Sequence, residues 1–148
     1  MKSSIKSIAV FCGSSAGSDP VYKKRAFALG QLLAKHSISI IYGGANIGLM
    51  GAVADGALSE GGKVIGVIPG FLKAHEIADE NLSALIEVES MHERKLKMNE
   101  LCDGVIALPG GYGTFEELFE MITWAQLGLH HKPIGLLNIK GYYDPLLQ

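Results

Sequence analysis

The sequence predicts an α/β fold in three layers, a single-domain, doubly wound parallel sheet covered by helices on both faces. Three observations predict it: short apolar runs alternate with longer helical segments, most of these runs are apolar throughout, and glycine-rich turns follow several of them. Strands that are apolar throughout are typical of parallel sheets buried on both faces. Because such sheets bind ligands beyond the carboxyl ends of their strands, the residues that follow the strands are the candidates for a site.

The predicted strands and helices alternate along the chain. The strands are predicted at Ile8–Cys12, Ile38–Tyr42, Val64–Ile68, Leu85–Val88, Val105–Leu108 and Ile134–Ile139. The helices are predicted at Pro20–Lys35, Leu49–Ser59, Met91–Leu101 and Thr114–Leu127. Pro20 suits a first helical turn, and Asp19 stands before it as a candidate N-cap. The run Leu85–Val88 is interrupted by a charge, so we expect it nearer an edge of the sheet.

The composition limits the class of protein. A chain of 148 residues has the length of one domain, so residues 1–148 are predicted to form one. A hydrophobic content of 48% excludes disorder, and a formal net charge of -2 gives no reason to expect a nucleic-acid or membrane partner. Met1–Lys6 is too polar to begin a signal peptide, and we expect a cytoplasmic protein. Cys12 and Cys102 are expected to be reduced, buried thiols.

Three glycine-rich turns follow predicted strands. They are Cys12–Ser15 (CGSS), Tyr42–Gly51 (YGGANIGLMG) and Pro109–Thr114 (PGGYGT). Each leads into a helix, where glycine lets backbone N–H groups turn inward and the helix dipole favours negative charge. The turns therefore predict a phosphate site, with Gly13, Ser14, Gly43 and Gly44 as candidate binding residues.

The same turns argue against two common cofactors. The first turn does not match the dinucleotide motif GxGxxG, and the third lacks the lysine of a Walker A loop, so neither NAD nor Mg-ATP is supported. Tight strand-to-helix turns without a ligand are the alternative for any one of them. Three such turns at one edge of a sheet favour a binding site.

Charged residues lie near the starts of two predicted helices. Glu116 and Glu117 fall in a predicted first turn, where they would complement the helix dipole. Adjacent helical residues point about 100° apart, so the two carboxylates are expected to differ in role. Arg94 and Lys95 belong to the run Met91–Lys95 (MHERK), which suits a cationic clamp on phosphate. The alternatives are a capped helix end for the carboxylates and a solvated helix face for the run of charges.

Two of these motifs resemble those of a known family. Pro109–Glu117 (PGGYGTFEE) resembles the PGGxGTxxE motif of the LOG (Lonely Guy) family, and Met91–Lys95 resembles its MHxRK element. Further segments similar to the family extend the resemblance from Ile8 to Leu147. The family is associated with cytokinin riboside 5′-monophosphate phosphoribohydrolase activity, and members often hydrolyse AMP. Many members have carried the label "lysine decarboxylase", but no lysine motif for pyridoxal phosphate is apparent in this sequence.

The resemblance implies a Rossmann-like fold and a homodimer with sites near the subunit interface. It places the catalytic pair on Arg94 and Glu117. The substrate contacts that it implies are Glu76, Arg94, Lys95, Gly111, Tyr112, Gly113, Thr114, Phe115, Glu116, Glu117 and Thr123. The chain departs from the family at Tyr143–Gln148, which looks like the opening of a helix that relatives continue, so we expect a chain shortened at its C-terminus.

The sequence therefore predicts hydrolysis of the N-glycosidic bond of a nucleoside 5′-monophosphate, a cytokinin riboside 5′-monophosphate or AMP, to free base and ribose 5-phosphate. Such cleavage passes through an oxocarbenium-like sugar, which a carboxylate stabilises. Glu117 is assigned that role, with Glu116 as its competitor, and Arg94 is expected to position phosphate or ribose. No metal or organic cofactor is required. The alternatives are a nucleotide-binding regulator without catalysis and a phosphoribosyl transferase.

Overall fold

The computed structural model describes residues 5–73 and 78–148, so Glu76, a predicted substrate contact, lies outside the described residues. Those ranges contain the strands β1 (Ser7–Phe11), β2 (Ser39–Tyr42), β3 (Val64–Pro69), β4 (Ala84–Val88), β5 (Gly104–Ala107) and β6 (Ile134–Leu136). They contain the helices α1 (Pro20–Lys35), α2 (Gly48–Ser59), α3 (Met91–Leu101), α4 (Tyr112–Gln126) and α5 (Asp144–Leu147). The predicted bounds of α1 and α3 match the observed ones, and Asp19 caps α1 by accepting a hydrogen bond from Val21 N at 2.9 Å.

The strands form one sheet in the order β4-β3-β2-β1-β5-β6, and every neighbouring pair is parallel. This confirms the predicted doubly wound parallel sheet. The run predicted near an edge, Leu85–Val88, belongs to β4, which lies at the edge beside β3. The chain winds outward from β1 to β4 and then returns to β5 on the other side of β1. The helices that follow β1 and β5 therefore lie on opposite faces of the sheet, and open parallel sheets hold their ligands at such a position.

Two apolar cores lie on opposite faces of the sheet. Successive side chains of a strand point to opposite faces, and in β1 Ile8 and Val10 enter one core while Ala9 and Phe11 enter the other. Buried residues of α1 and α2 close the first core, and buried residues of α3 and α4 close the second. This confirms the three predicted layers, and covering on both faces explains why the strands are apolar throughout.

Helix α4 begins two residues earlier than predicted. Its first helical residue is Tyr112, because the carbonyl of Gly111 accepts the first helical hydrogen bond from Phe115 N. Glu116 and Glu117 therefore lie in the second turn, and the prediction that they complement the dipole in the first turn is wrong. Of the glycines that suggested a loop, Gly111 is the N-cap of the helix and Gly113 lies in its first turn.

The predicted strand Ile134–Ile139 ends at Leu136. Beyond it the chain turns back, and Lys140 adopts a φ of 55° within that turn. The amide oxygen of Asn138 closes the turn by accepting a hydrogen bond from Tyr143 N at 2.7 Å. Tyr143 thereby joins the core beneath α3 and α4.

Two expectations from composition concern these elements. Cys12 and Cys102 are buried and carry free thiols, as predicted. No helix in the described part of the chain is long and apolar enough to cross a membrane. The cytoplasmic location stays a prediction.

Candidate functional site

A cleft of about 280 Å³ opens at the carboxyl ends of the central strands. Its described lining residues are Val10, Cys12, Gly13, Ser14, Gly43, Met50, Met91, Arg94, Gly111, Tyr112, Gly113, Thr114 and Glu117. All three glycine-rich turns contribute to it, as expected of loops that follow parallel strands at one edge of a sheet. The cleft lies beside β1 and β5, where the direction of winding changes.

The N-terminus of α4 forms one wall of the cleft. The first N–H groups of a helix have no acceptor within the helix, and the N-cap residue Gly111 has no side chain that could cap them. Gly111, Gly113 and Thr114 all line the cleft. The wall therefore presents backbone N–H groups and the positive end of the helix dipole, an arrangement that binds anions.

Gly110 must be a glycine for this wall to form. A Cβ atom there would lie 2.1 Å from Thr114 Oγ1 and 3.1 Å from Gly13 N. The first distance leaves no room for a carbon atom, and the second would require Gly13 to move by a few tenths of an ångström, so the absence of a side chain at Gly110 allows the first and third glycine-rich turns to cross this closely. The crossing brings Gly13 and Ser14 to the same cavity as Thr114.

Arg94 is fixed at the base of the cleft and is only 4% exposed. Its Nε donates to Val67 O at 2.9 Å, and its Nη2 donates to Gly43 O at 2.5 Å. Gly43 can come this close because it has no side chain, since a Cβ atom would lie 2.2 Å from Arg94 Nη2. A carbonyl group within β3 and one directly after β2 therefore orient a buried positive charge that can attract an anion.

Glu117 lines the same cavity from the second turn of α4. Cys12, Arg94 and Glu117 all line this cavity. Burial raises the pKa of the Cys12 thiol well above its usual range, the Glu117 carboxylate raises it further, and the Arg94 guanidinium lowers it. A carboxylate and a guanidinium that are 23 residues apart in sequence face a single cavity.

Lys95 is not among the described residues that line the cleft, and together with Glu117 it lines a smaller neighbouring pocket. Its Nζ donates to Glu116 Oε1 at 2.7 Å and to Glu120 Oε2 at 2.6 Å. These hydrogen bonds, that to Glu116 first, raise the pKa of Lys95. Because neighbouring helical residues point about 100° apart, Arg94 enters the cleft while Lys95 ties α3 to α4.

Four other predicted contacts do not line the cleft among the residues that the structure describes. They are Gly44, Phe115, Glu116 and Thr123. Phe115 stacks on Phe119 with ring centroids 5.9 Å apart. Thr123 is exposed on α4, and its hydroxyl donates to Phe119 O at 2.8 Å. Tyr112 does line the cleft, although 94% of its surface is exposed.

Sequence reasoning missed the apolar part of the cleft. Val10, Met50 and Met91 line it together with Cys12, which was predicted only to be buried. Met50 lies within the second glycine-rich turn and Met91 begins the MHERK run, so position within these motifs was the signal. Their side chains give the cleft an apolar surface beside its charged groups.

The described residues do not suggest a metal centre. Residues 5–73 and 78–148 contain no group of three or more His, Cys, Asp or Glu side chains placed to hold a metal ion. Among the described residues, the polar groups of the cleft are backbone groups, the hydroxyls of Ser14, Tyr112 and Thr114, the thiol of Cys12, and the charges of Arg94 and Glu117. This donor set suits an organic anion such as a phosphate ester.

The sheet and its central, glycine-lined cleft define a Rossmann-like α/β protein. A family model described as "Possible lysine decarboxylase" matches residues 50–148. Over 147 residues the chain is 52% identical to the cytokinin riboside 5′-monophosphate phosphoribohydrolase LOG1 of Arabidopsis thaliana, a match that covers 99% of this chain and 69% of that protein. The chain belongs to the LOG family, as its motifs predicted.

A second relative of the same family and a solved structure of similar fold are also matched. The chain is 54% identical over 140 residues to the probable cytokinin riboside 5′-monophosphate phosphoribohydrolase LOGL1 of Oryza sativa subsp. japonica, with 95% of this chain and 63% of that protein covered. The chain thus spans about two thirds of the length of these relatives. The solved structure of the molybdenum cofactor binding protein from Rippkaea orientalis matches with a TM-score of 0.74 and 29% identity, over 98% of this chain and 84% of that one.

Proposed function

We propose that this chain hydrolyses the N-glycosidic bond of a nucleoside 5′-monophosphate, such as a cytokinin riboside 5′-monophosphate or AMP. The observation that carries the proposal is the placement of Arg94 and Glu117 on one cleft, beside the N-terminus of α4. A phosphate at that helix end would leave its ribose next to both charged side chains. The names of the curated relatives support the same reaction.

The proposed reaction begins with the phosphate held by the N–H groups of Gly111 and Gly113 and by the Thr114 hydroxyl. Arg94 positions phosphate or ribose. As the bond between C1′ and the base nitrogen lengthens, the sugar becomes oxocarbenium-like, and the Glu117 carboxylate stabilises its charge. Water adds to C1′ and gives a proton to Glu117, while the base leaves with the bonding electron pair and takes up a proton from solvent; Glu117 then returns its proton to solvent. The products are free base and ribose 5-phosphate.

We assign roles other than lining the cleft to Lys95, Glu116 and Thr123. Lys95 bridges Glu116 and Glu120, which fixes the spacing between α3 and α4. Because α3 carries Arg94 and α4 carries Glu117, the bridge helps to keep the proposed catalytic pair at a fixed separation. Thr123 is a candidate contact for a second subunit.

A product assay tests the proposed reaction. Purified protein incubated with AMP is expected to release adenine and ribose 5-phosphate, measured by liquid chromatography. Adenosine is expected to release no adenine, because it has no phosphate for the α4 N-terminus to hold. A panel that adds isopentenyl-AMP, GMP and CMP defines the base preference. Nucleotide binding without release of base would contradict the hydrolase and favour a regulator, and transfer of ribose 5-phosphate to an added acceptor would favour a transferase.

We also propose that two copies associate through α4. Apolar residues on and just after this helix are exposed: Phe119, Ile122, Leu127 and Leu129. An exposed apolar surface of this kind is typical of an interface. Thr123 follows Ile122 directly in α4, and it is not among the described residues that line the cleft of its own chain. In the proposed dimer, Thr123 would contact substrate that is bound in the cleft of the second copy.

Ile122→Glu is expected to convert the dimer to a monomer, because it places a charge in the proposed apolar interface. Each of the two copies would bury a charged carboxylate without a partner in place of an isoleucine, so the dimer should dissociate at least about tenfold more readily. Leu32→Glu on α1 is the matched control, since Leu32 is 53% exposed and Ile122 is 41% exposed. Sedimentation velocity measures both variants. A wild-type monomer, or a dimer unaffected by Ile122→Glu, would contradict the proposed interface.

A further inference from the structure

Two tyrosines from the turn after β6 hold carbonyl groups of the third glycine-rich turn. The hydroxyl of Tyr142 donates to Gly110 O, and the hydroxyl of Tyr143 donates to Leu108 O. Both rings also pack against Phe115 in α4, with ring centroids 6.4 Å and 5.8 Å away. The connection between β5 and α4 is therefore held from outside the cleft.

The Gly110 carbonyl and the Gly111 N–H belong to one peptide unit. That unit is planar and trans, so its C=O and N–H point in opposite directions. Tyr142 and Gly110 border a second cavity, of about 480 Å³, and neither is among the described residues that line the cleft. Gly111 borders both cavities. A carbonyl that points to Tyr142 therefore directs the Gly111 N–H toward the cleft.

A peptide between two glycines can reverse its direction at little steric cost. A Cβ atom at Gly111 would meet no described atom within 4 Å, so packing at this residue does not hold the unit in place. Reversal would turn the partial negative charge of the Gly110 carbonyl toward the position proposed for the phosphate. The hydrogen bond from Tyr142 opposes this reversal.

We propose that Tyr142 is a positioning residue, which keeps the peptide between Gly110 and Gly111 turned so that its N–H faces the anion in the cleft. The inference rests on the proposed function, because the anion is the phosphate of the nucleotide. It nevertheless concerns affinity for phosphate itself, which can be measured without turnover.

Tyr143 supplies a matched control on the same turn. It makes the same kind of hydrogen bond, but the residue after Leu108 is Pro109, which has no N–H. Its hydroxyl therefore orients no donor at the cleft. Tyr143 is 1% exposed, and burial raises its pKa to about 12, so the phenol remains a donor at neutral pH. Loss of this buried bond is expected to affect stability more than loss of the partly exposed Tyr142 bond.

The experiment compares wild-type protein with Tyr142→Phe and Tyr143→Phe, which keep the rings and remove only the hydroxyls. Calorimetry gives the Kd of inorganic phosphate and of ribose 5-phosphate, and adenine release gives KM and kcat for AMP. Tyr142→Phe is expected to raise both Kd values and KM by about three- to tenfold, the effect of one hydrogen bond, with kcat changed by less than about twofold. Tyr143→Phe is expected to lower the melting temperature and leave the Kd values near those of wild type.

Each other outcome has a distinct meaning. Equal phosphate affinity in wild type and Tyr142→Phe would overturn the role of Tyr142. An equal rise in Kd in both variants would overturn it as well, because it would show general support of the turn rather than control of one peptide. Wild-type protein that binds phosphate with the expected effect of Tyr142→Phe, but releases no adenine, would overturn the proposed function alone. Wild-type protein that binds no phosphate would overturn both.

Discussion

Glu117→Gln is expected to lower the turnover of AMP by about 10²- to 10⁴-fold while AMP still binds. Glutamine has nearly the shape of glutamate but no negative charge, so it neither stabilises an oxocarbenium-like sugar nor accepts a proton from water. The contacts proposed for the phosphate lie on Gly111, Gly113 and Thr114 and are unchanged by this substitution. Adenine release measures turnover, and calorimetry measures binding of AMP.

Two variants make this result interpretable. Glu100→Gln changes an exposed carboxylate on α3 and is expected to keep wild-type turnover. Glu116→Gln tests the competing assignment, because Glu116 is adjacent in sequence but pairs with Lys95. If Glu116→Gln loses turnover and Glu117→Gln releases adenine at a nearly normal rate, the assignment of the catalytic carboxylate is wrong.

Arg94→Met is expected to lower both stability and activity. It removes the donors to Val67 O and Gly43 O, and carbonyls left buried without donors cost about 1–3 kcal/mol each. We therefore expect a loss of about 2–5 kcal/mol in the free energy of unfolding. Loss of the guanidinium that is proposed to position phosphate or ribose is expected to lower kcat/KM for AMP by at least about 10²-fold. Chemical denaturation and adenine release provide the measurements.

Arg94→Lys separates charge from geometry. A lysine ammonium carries the same charge on a single nitrogen, so it cannot reproduce the fork that reaches both carbonyls. We expect it to remain at least about tenfold less active than wild type. Arg25→Lys, on the exposed surface of α1, is the matched control. Wild-type stability and activity in Arg94→Met would show that Arg94 neither holds the base of the cleft nor acts on substrate.

The parallel sheet could be predicted because its signals are local. Runs that are apolar throughout, such as Ile8–Cys12, need covering on both faces, and Pro20 with Asp19 marks the start of α1. The start of α4 could not be predicted in the same way, because Gly113 is a poor helix former and the position of the N-cap Gly111 depends on the close approach of the turns at Gly110. That approach is a tertiary contact.

The site shows the same division between local and tertiary information. The motifs indicated Arg94 and Glu117, and both line the cleft. They also indicated Lys95, but whether one of two neighbouring basic residues enters a cavity depends on the direction of its side chain around α3. Tyr142 was missed because its role depends on a hydrogen bond to a residue 32 positions away.

Helix α3 is anchored on both sides by its neighbouring basic residues. Arg94 donates hydrogen bonds to a carbonyl within β3 and to a carbonyl directly after β2, and Lys95 donates to two carboxylates of α4. These hydrogen bonds fix α3 relative to both the sheet and α4, which carry the residues that line the cleft. Because these contacts already order the walls of the cleft, nucleotide binding is expected to require little further ordering of the protein. More of the interaction free energy then remains to stabilise the transition state for cleavage.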